Sequence, residues 1–276
     1  MRSDGWVVRI WKLLYPLLIY FVMNYVLILL IGGIWMWRIA SANPTLSEAG
    51  LMQLYEQQVS SYQMAIVLGV DLLVAAVLSM FYRRDSKRLV PIHKKTTIVH
   101  WILVILLGIF GCLAGNFIVS LSGLIQLFPD VYEELAEVQY SGAIWIQFLS
   151  MGVAAPIMEE VLFRGLLFRR LRTYCKFPIA LILSALIFGF CHGNILQFLY
   201  AFLLGLLMGL LYEKFRTLWA PIVFHATANM FSVFVTNYTV VDQIIMIQPF
   251  LAVIISFGVV AMIVALFHTT LEPKTE

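Results

Sequence analysis

Uninterrupted apolar blocks, each about 20 residues long, are the feature that most constrains how this chain folds. A helix of that length crosses a hydrocarbon layer of roughly 30 Å. The first block, residues 13–37, exceeds the roughly 7–15-residue core of a cleaved signal, so we expect it to remain as a helix. Charged residues make up 12% of the chain, against about 25% in soluble domains. The sequence therefore predicts an all-α polytopic membrane protein that forms one domain over residues 1–276.

The distribution of charge predicts how the chain is oriented in the membrane. We expect about eight transmembrane helices, near residues 13–37, 62–82, 97–120, 147–168, 178–193, 195–212, 217–237 and 244–267. Lys and Arg then concentrate on the side of the N-terminus, at Arg2, Arg9, Lys12, Arg83, Arg84, Lys87, Arg88, Lys94, Lys95, Arg169, Arg170, Arg172, Lys176, Lys214, Arg216 and Lys274. The opposite connections are mainly acidic, including Glu133 and Asp242, and hold one cation, Arg38. The positive-inside rule places both termini in the cytoplasm.

The basic stretches favour contact with anionic lipids over binding of nucleic acid. The three cysteines, Cys112, Cys175 and Cys191, lack the spacing of a disulfide framework or a zinc knuckle. Gly205 and Gly209 have the G-x-x-x-G spacing, which favours close packing between helices of this chain over a dimer interface. Short loops and the lack of a targeting segment favour a prokaryotic plasma membrane, and we expect a monomer.

Ionisable side chains inside the predicted spans are the first functional candidates, because each costs roughly 2.5–3.5 kcal/mol to insert. The candidates are Asp71, Glu159, Glu160, Arg164, His192 and His225. Asp71 has no partner in its own span, and we favour structural pairing with Arg164 or another polar residue over a proton pathway.

The stretch PIMEEVLFRG contains two adjacent glutamates whose helical positions differ. Glu160 and Arg164 are four residues apart, so they stack on one helix face and can form an ion pair. Glu159 is rotated by about 100° from Glu160. The glutamates either form one charge cluster that holds helices together, or Glu159 is left free as a general base. Pro156 removes one backbone hydrogen bond and predicts a kink that admits water.

Two further pairs have helical i, i+4 spacing: Phe188 with His192, and His225 with Asn229. The second pair places an imidazole and an amide on one face, which suits stabilisation of an oxyanion. The alternative is that each polar residue bonds to a neighbouring helix. Helix rise places His225, Glu159 and His192 about 12, 16 and 21 Å from the cytoplasmic face, in one slab of the membrane. The short HGN segment at residues 192–194 predicts that two spans meet below the outer surface.

These three motifs, in this order, resemble the CPBP family of intramembrane endopeptidases, the CAAX-processing and bacteriocin-processing (Abi) proteases. The resemblance covers about residues 145–235 and implies a conical catalytic core there. It implies that Glu159 activates water and that His192 holds the water or the substrate. It further implies an oxyanion site at His225 and Asn229, with support from Glu160, Arg164 and Phe188.

Two mechanisms fit these residues: Glu159 acts alone as a base, with no cofactor, or Glu159, His192 and His225 bind a divalent metal such as zinc. The substrate implied is a hydrophobic or lipidated peptide or protein. A non-catalytic immunity or sensor protein of the same fold is the alternative function. A proton-coupled transporter is less favoured, because the chain lacks repeat halves and paired broken helices.

Overall fold

The computed structural model describes residues 5–86, 96–140, 142–238 and 248–271, and these residues contain no strand. The all-α prediction is therefore confirmed for the described part of the chain. Charges used above at Arg2, Lys87, Arg88, Lys94, Lys95, Asp242 and Lys274 lie outside it. The helices are α1 (Trp6–Ala42), α2 (Glu48–Ser86), α3 (Ile98–Leu121), α4 (Leu124–Leu127), α5 (Pro129–Gln139), α6 (Ile144–Tyr174), α7 (Phe177–Phe190), α8 (Ile195–Phe215), α9 (Trp219–Asn237) and α10 (Pro249–Thr270).

Six of these helices, α1, α2, α3, α6, α8 and α10, are long and apolar enough to cross a membrane. They make the chain an integral membrane protein. The other two predicted spans correspond to α7, which has only 14 residues, and to α9, which carries the polar residues of the HATAN motif. Helices α1 and α2, with 37 and 39 residues, extend well past the predicted spans. Hydropathy marks only the part of a helix that suits lipid, and backbone hydrogen bonding continues beyond it.

Helix α6 is the centre of the fold and contacts α1, α2, α7, α8 and α9. It is not a uniform α-helix. Two π-helical segments, Ser150–Ala154 and Val161–Phe168, flank a short α-helical segment, Ala155–Glu160. Every residue of the second π-helical segment is buried. The irregularity predicted around Pro156 is present, and it takes the form of wider helical turns.

Glycines permit the closest helix contacts around this centre. A Cβ added at Gly108 of α3 would lie 2.8 Å from the backbone oxygen of Phe224 in α9. A Cβ at Gly205 of α8 would lie 3.2 Å from Ala185 of α7. Gly205 and its partner Gly209 both face α7, so the G-x-x-x-G spacing serves packing within this chain.

The corner between α7 and α8 uses each residue of the HGN segment differently. Gly193 has a φ of 78°, a left-handed conformation that favours glycine. Asn194 begins α8 as its N-cap, because its Oδ1 accepts the backbone N–H of Gln197 at 2.8 Å. His192 is thereby held just past the end of α7, with its ring against Phe188.

An arginine joins three helices at the far end of α6. Arg170, 8% exposed, donates to Asp85 of α2 at 2.9 Å from Nε and 2.7 Å from Nη2. It also donates to the backbone oxygen of Lys12 and to the hydroxyl of Tyr15, both in α1. We call this set of contacts the Arg170 clamp. It fixes the α1–α2 pair against the helix that carries both glutamates.

Candidate active site

A buried network links the second glutamate to an arginine and a histidine. Arg164 Nη1 donates to Glu160 Oε1 at 2.8 Å, and both side chains are fully buried. Arg164 Nη2 donates to the backbone oxygen of Gly205 at 3.2 Å. On the other side, His225 Nδ1 lies 3.0 Å from the same Glu160 oxygen. A carboxylate accepts from both donors, so Glu160 fixes the imidazole of α9 against α6.

Glu159 occupies a different environment from its neighbour. Its Oε2 is buried, lies 3.7 Å from His225 Nε2 and has no hydrogen-bond partner in the part of the chain that the structure describes. The side chain keeps 18% of its surface exposed, whereas Glu160 keeps none. His225 therefore stands between the two carboxylates, with one ring nitrogen toward each. This arrangement leaves Glu159 as the carboxylate that a small molecule can approach.

Phe188 packs against three of the polar groups. The Arg164 guanidinium lies 4.4 Å from the centre of its ring. The His192 and His225 rings meet it edge to face, with centroid distances of 4.8 and 5.9 Å. A buried phenyl ring in this position holds both imidazoles in fixed planes and gives the guanidinium a cation–π contact. The side chain of Phe188 thus supports the site through its ring contacts.

The tautomer of His192 follows from its backbone contact. Its Nδ1 lies 2.8 Å from the carbonyl oxygen of Phe188. A carbonyl only accepts, so Nδ1 carries a hydrogen, and Nε2 of the neutral ring is left as an acceptor. A water molecule that donates to this nitrogen would be oriented by it.

One amide hydrogen of Asn229 is used in a hydrogen bond to the backbone of α6. Its Nδ2 donates to the oxygen of Met151 at 2.8 Å. In the π-helical register the N–H of Ala155 donates to Ser150, five residues back, so the next donor should be residue 156 and its acceptor Met151. That residue is Pro156, which has no N–H. Asn229 satisfies the carbonyl that the proline leaves unpaired, and its second amide hydrogen is free for another acceptor.

A three-ligand metal site does not form from the expected residues. In the described part of the chain, no group of three or more His, Cys, Asp or Glu side chains is arranged to hold a metal ion. The metal alternative needs His192 beside Glu159 and His225. The ligand geometry therefore does not fit the expected metal, and we derive no chemical step through one.

Asp71 does not form the structural pair that we favoured. It is 6% exposed, yet within the described ranges it makes no hydrogen bond or ion pair. Arg164, its expected partner, instead donates hydrogen bonds to Glu160 and to the backbone oxygen of Gly205. The sequence missed the two backbone acceptors of the site, at Gly205 and Met151. Pro156 was the one available signal for the second, because a proline inside a helix always leaves an acceptor without its usual donor.

Comparison with known proteins agrees with the motifs. Residues 141–231 match the family model described as type II CAAX prenyl endopeptidase, Rce1-like. YdiL of Bacillus subtilis (strain 168), named as a candidate membrane peptidase, is 30% identical over 91 residues, which are 33% of this chain and 37% of YdiL. The chain thus spans little more than a third of that relative.

The UPF0177 protein YbdJ of Lactococcus lactis is 25% identical over 175 residues, which are 61% of this chain and 75% of YbdJ. No solved structure matches the chain. The resemblance to the CAAX-processing proteases that the three motifs indicate is confirmed over the matched segment.

Proposed function

We propose that this chain, related through residues 141–231 to the Rce1-like endopeptidases, is an intramembrane endopeptidase that hydrolyses a peptide bond of a hydrophobic or lipidated substrate. Its catalytic core runs over about residues 145–235. One observation carries the proposal: the Glu159 side chain is 18% exposed, and among the described residues its Oε2 makes no hydrogen bond, although it lies 3.7 Å from a ring nitrogen of His225, whose imidazole is fixed by Glu160. A carboxylate in this state has a free acceptor for a proton from water.

Water activation is assigned to Glu159 with help from His192. The water donates one hydrogen to the carboxylate of Glu159, whose side chain keeps 18% of its surface exposed, and the other to His192 Nε2, the acceptor left by the contact of that ring with Phe188. Glu159 takes a proton as the water oxygen bonds to the carbonyl carbon of the substrate. The proton then passes to the departing amine nitrogen as the C–N bond breaks. The products are one acid and one amine, with no net change at Glu159.

The oxyanion is assigned to the second amide hydrogen of Asn229 and to Nε2 of His225. His225 already donates from Nδ1 to Glu160, so it serves the oxyanion only when Nε2 is protonated as well. In that form the buried groups Arg164, Glu160, His225 and Glu159 alternate in sign and sum to zero charge. Mutual neutralisation offsets much of the cost of burying four ions.

The test is cleavage by purified, membrane-reconstituted protein of two fluorogenic probes, a farnesylated CAAX peptide and a bacteriocin leader peptide. Glu159→Gln keeps the size of the side chain and removes the base, so we expect a loss of about 10²–10⁴-fold in kcat. Glu56→Gln, an exposed glutamate of α2, is the matched control and should cleave like the parent. Full turnover by a well-folded Glu159→Gln variant would refute the role of Glu159.

Two alternatives are separated by the same assay. Chelation with 1,10-phenanthroline should leave cleavage intact under the metal-free mechanism, and restoration by zinc after a chelator-induced loss would favour the metal mechanism. If Glu159→Gln, His192→Ala and His225→Ala all preserve the biological effect in cells, the chain acts as a non-catalytic immunity or sensor protein. If Glu159→Gln instead abolishes cleavage, a comparison of peptidomes from membranes with and without active Glu159 would identify the substrate.

A further inference from the structure

A groove lies between α1 and α2, at the opposite end of this helix pair from the Arg170 clamp. It has a volume of about 710 Å³ and is lined by the last three turns of α1 and by Gln58 and Tyr62 of α2. None of its lining residues belongs to the three motifs, so it is separate from the candidate active site. Its size is within the range of small-molecule sites, roughly 300–1,000 Å³.

The polar end of the groove presents hydrogen-bond donors. Arg38 is exposed, and within the described residues it forms no hydrogen bond or ion pair. Gln58 accepts the indole N–H of Trp35 on its Oε1 at 2.9 Å, and a tryptophan can only donate. The Gln58 amide is therefore fixed with its Nε2 hydrogens unused. A guanidinium and an amide together match the oxygens of a phosphate group.

The rest of the lining is apolar and leads away from Arg38. Ile34 and Ile31 follow along α1, and Ile31 lies about 10 Å from the level of Arg38 by helix rise. The rings of Trp35 and Tyr62 pack together at 5.2 Å between centroids and form one wall. Trp and Tyr are typical of the membrane–water boundary, where a headgroup meets its acyl chains. The groove is therefore polar at the boundary and apolar toward the membrane interior.

We propose that this groove binds one anionic phospholipid, with the phosphate against Arg38 and Gln58 and an acyl chain along Ile34 and Ile31. An exposed arginine with no acidic partner among the described residues is available to a negatively charged ligand, and the apolar extension suits a hydrocarbon chain. A phospholipid combines both in the observed order. The inference is independent of the proposed peptidase activity, because it uses no residue of the candidate active site.

The experiment is native mass spectrometry of the full chain in detergent, with phosphatidylglycerol and phosphatidylcholine supplied in equal amounts. We expect one phosphatidylglycerol retained per chain in preference to phosphatidylcholine. Arg38→Gln should lower its affinity about tenfold in a lipid titration, the low end for loss of a hydrogen bond to a charged group. Ala42→Phe, which fills the groove and keeps the charge, should lower it as well.

Arg84→Gln is the matched control, since it removes another exposed arginine at the opposite end of α2. It should retain phosphatidylglycerol like the parent chain. Equal losses in the Arg38 and Arg84 variants would overturn the site in favour of general charge attraction, and unchanged retention in Arg38→Gln would overturn it outright. Displacement of the lipid by millimolar inorganic phosphate would overturn the assignment to a whole lipid.

Discussion

Removal of the Asn229 side chain tests the link between Pro156 and the backbone of α6. In Asn229→Ala, the Met151 carbonyl loses its donor at 2.8 Å. Met151 is 7% exposed, so water reaches this carbonyl poorly. An unsatisfied buried acceptor costs about 1–3 kcal/mol, and we expect the free energy of unfolding to fall by that amount. The same variant should lose activity, because the proposed oxyanion donor is gone.

A second substitution separates these two effects. Pro156→Ala restores a backbone N–H at the position that should donate to Met151 in the π-helical register. In this background, Asn229→Ala should cost at least about 1 kcal/mol less than in the parent chain, a coupling typical of groups that share a partner. Activity should not return, because a backbone N–H inside α6 does not replace an amide beside the substrate.

The assay is a double-mutant cycle measured by reversible denaturant unfolding in mixed micelles, with peptide cleavage followed in parallel. Asn229→Leu is the second reference, since it keeps the approximate size of the side chain and removes both amide hydrogens without adding a charge. It should lose the same hydrogen bond and show the same dependence on residue 156. An identical cost of Asn229→Ala in both backgrounds would refute the link, and recovery of cleavage by Pro156→Ala would refute the oxyanion role.

Two further predictions concern packing. Gly108→Ala should lower the free energy of unfolding by about 1–3 kcal/mol, because its Cβ would lie 2.8 Å from a backbone oxygen. Gly33→Ala is the control, since no atom lies within 4 Å of its added Cβ, and it should leave the free energy of unfolding unchanged. Arg170→Leu should lower the free energy of unfolding by about 1–3 kcal/mol, because the Arg170 clamp is lost. Arg216→Gln removes an ion pair whose arginine is 40% exposed, so it should lower the free energy of unfolding by less than about 0.5 kcal/mol. Equal effects within either pair would contradict the packing argument.

The sequence was sufficient to predict the helices of the site and the Glu160–Arg164 pair. Both depend on local periodicity: apolar blocks define membrane helices, and four-residue spacing stacks two side chains on one face. The similar depths of Glu159, His192 and His225 in the membrane also predicted that the three helices carrying them would meet. These features need no knowledge of how one helix is rotated against another.

The partners of His225 could not be predicted in the same way. Regular helical spacing put Glu159 and Glu160 about 100° apart and suggested separate partners. The ring of His225 instead lies between them, 3.0 Å from one carboxylate and 3.7 Å from the other. Both nitrogens of one ring are available to different neighbours, and only the rotation of α9 against α6 decides which neighbours these are. The pairing predicted for Asp71 was wrong for the same reason, since the surroundings of this side chain depend on packing between helices.

Because α7 is short, the thickness of the bilayer beside it affects the environment of this site. Its 14 residues rise about 21 Å, well under a hydrocarbon thickness of roughly 30 Å. One side of α7 is exposed, including Ile179, Ile182 and Phe190, so lipid lies directly against it. A short lipid-facing helix is accommodated by local thinning of the membrane. Headgroups and water would thereby be drawn toward the corner that holds His192, and we expect lipid chain length to influence how much water reaches the proposed catalytic carboxylate of Glu159.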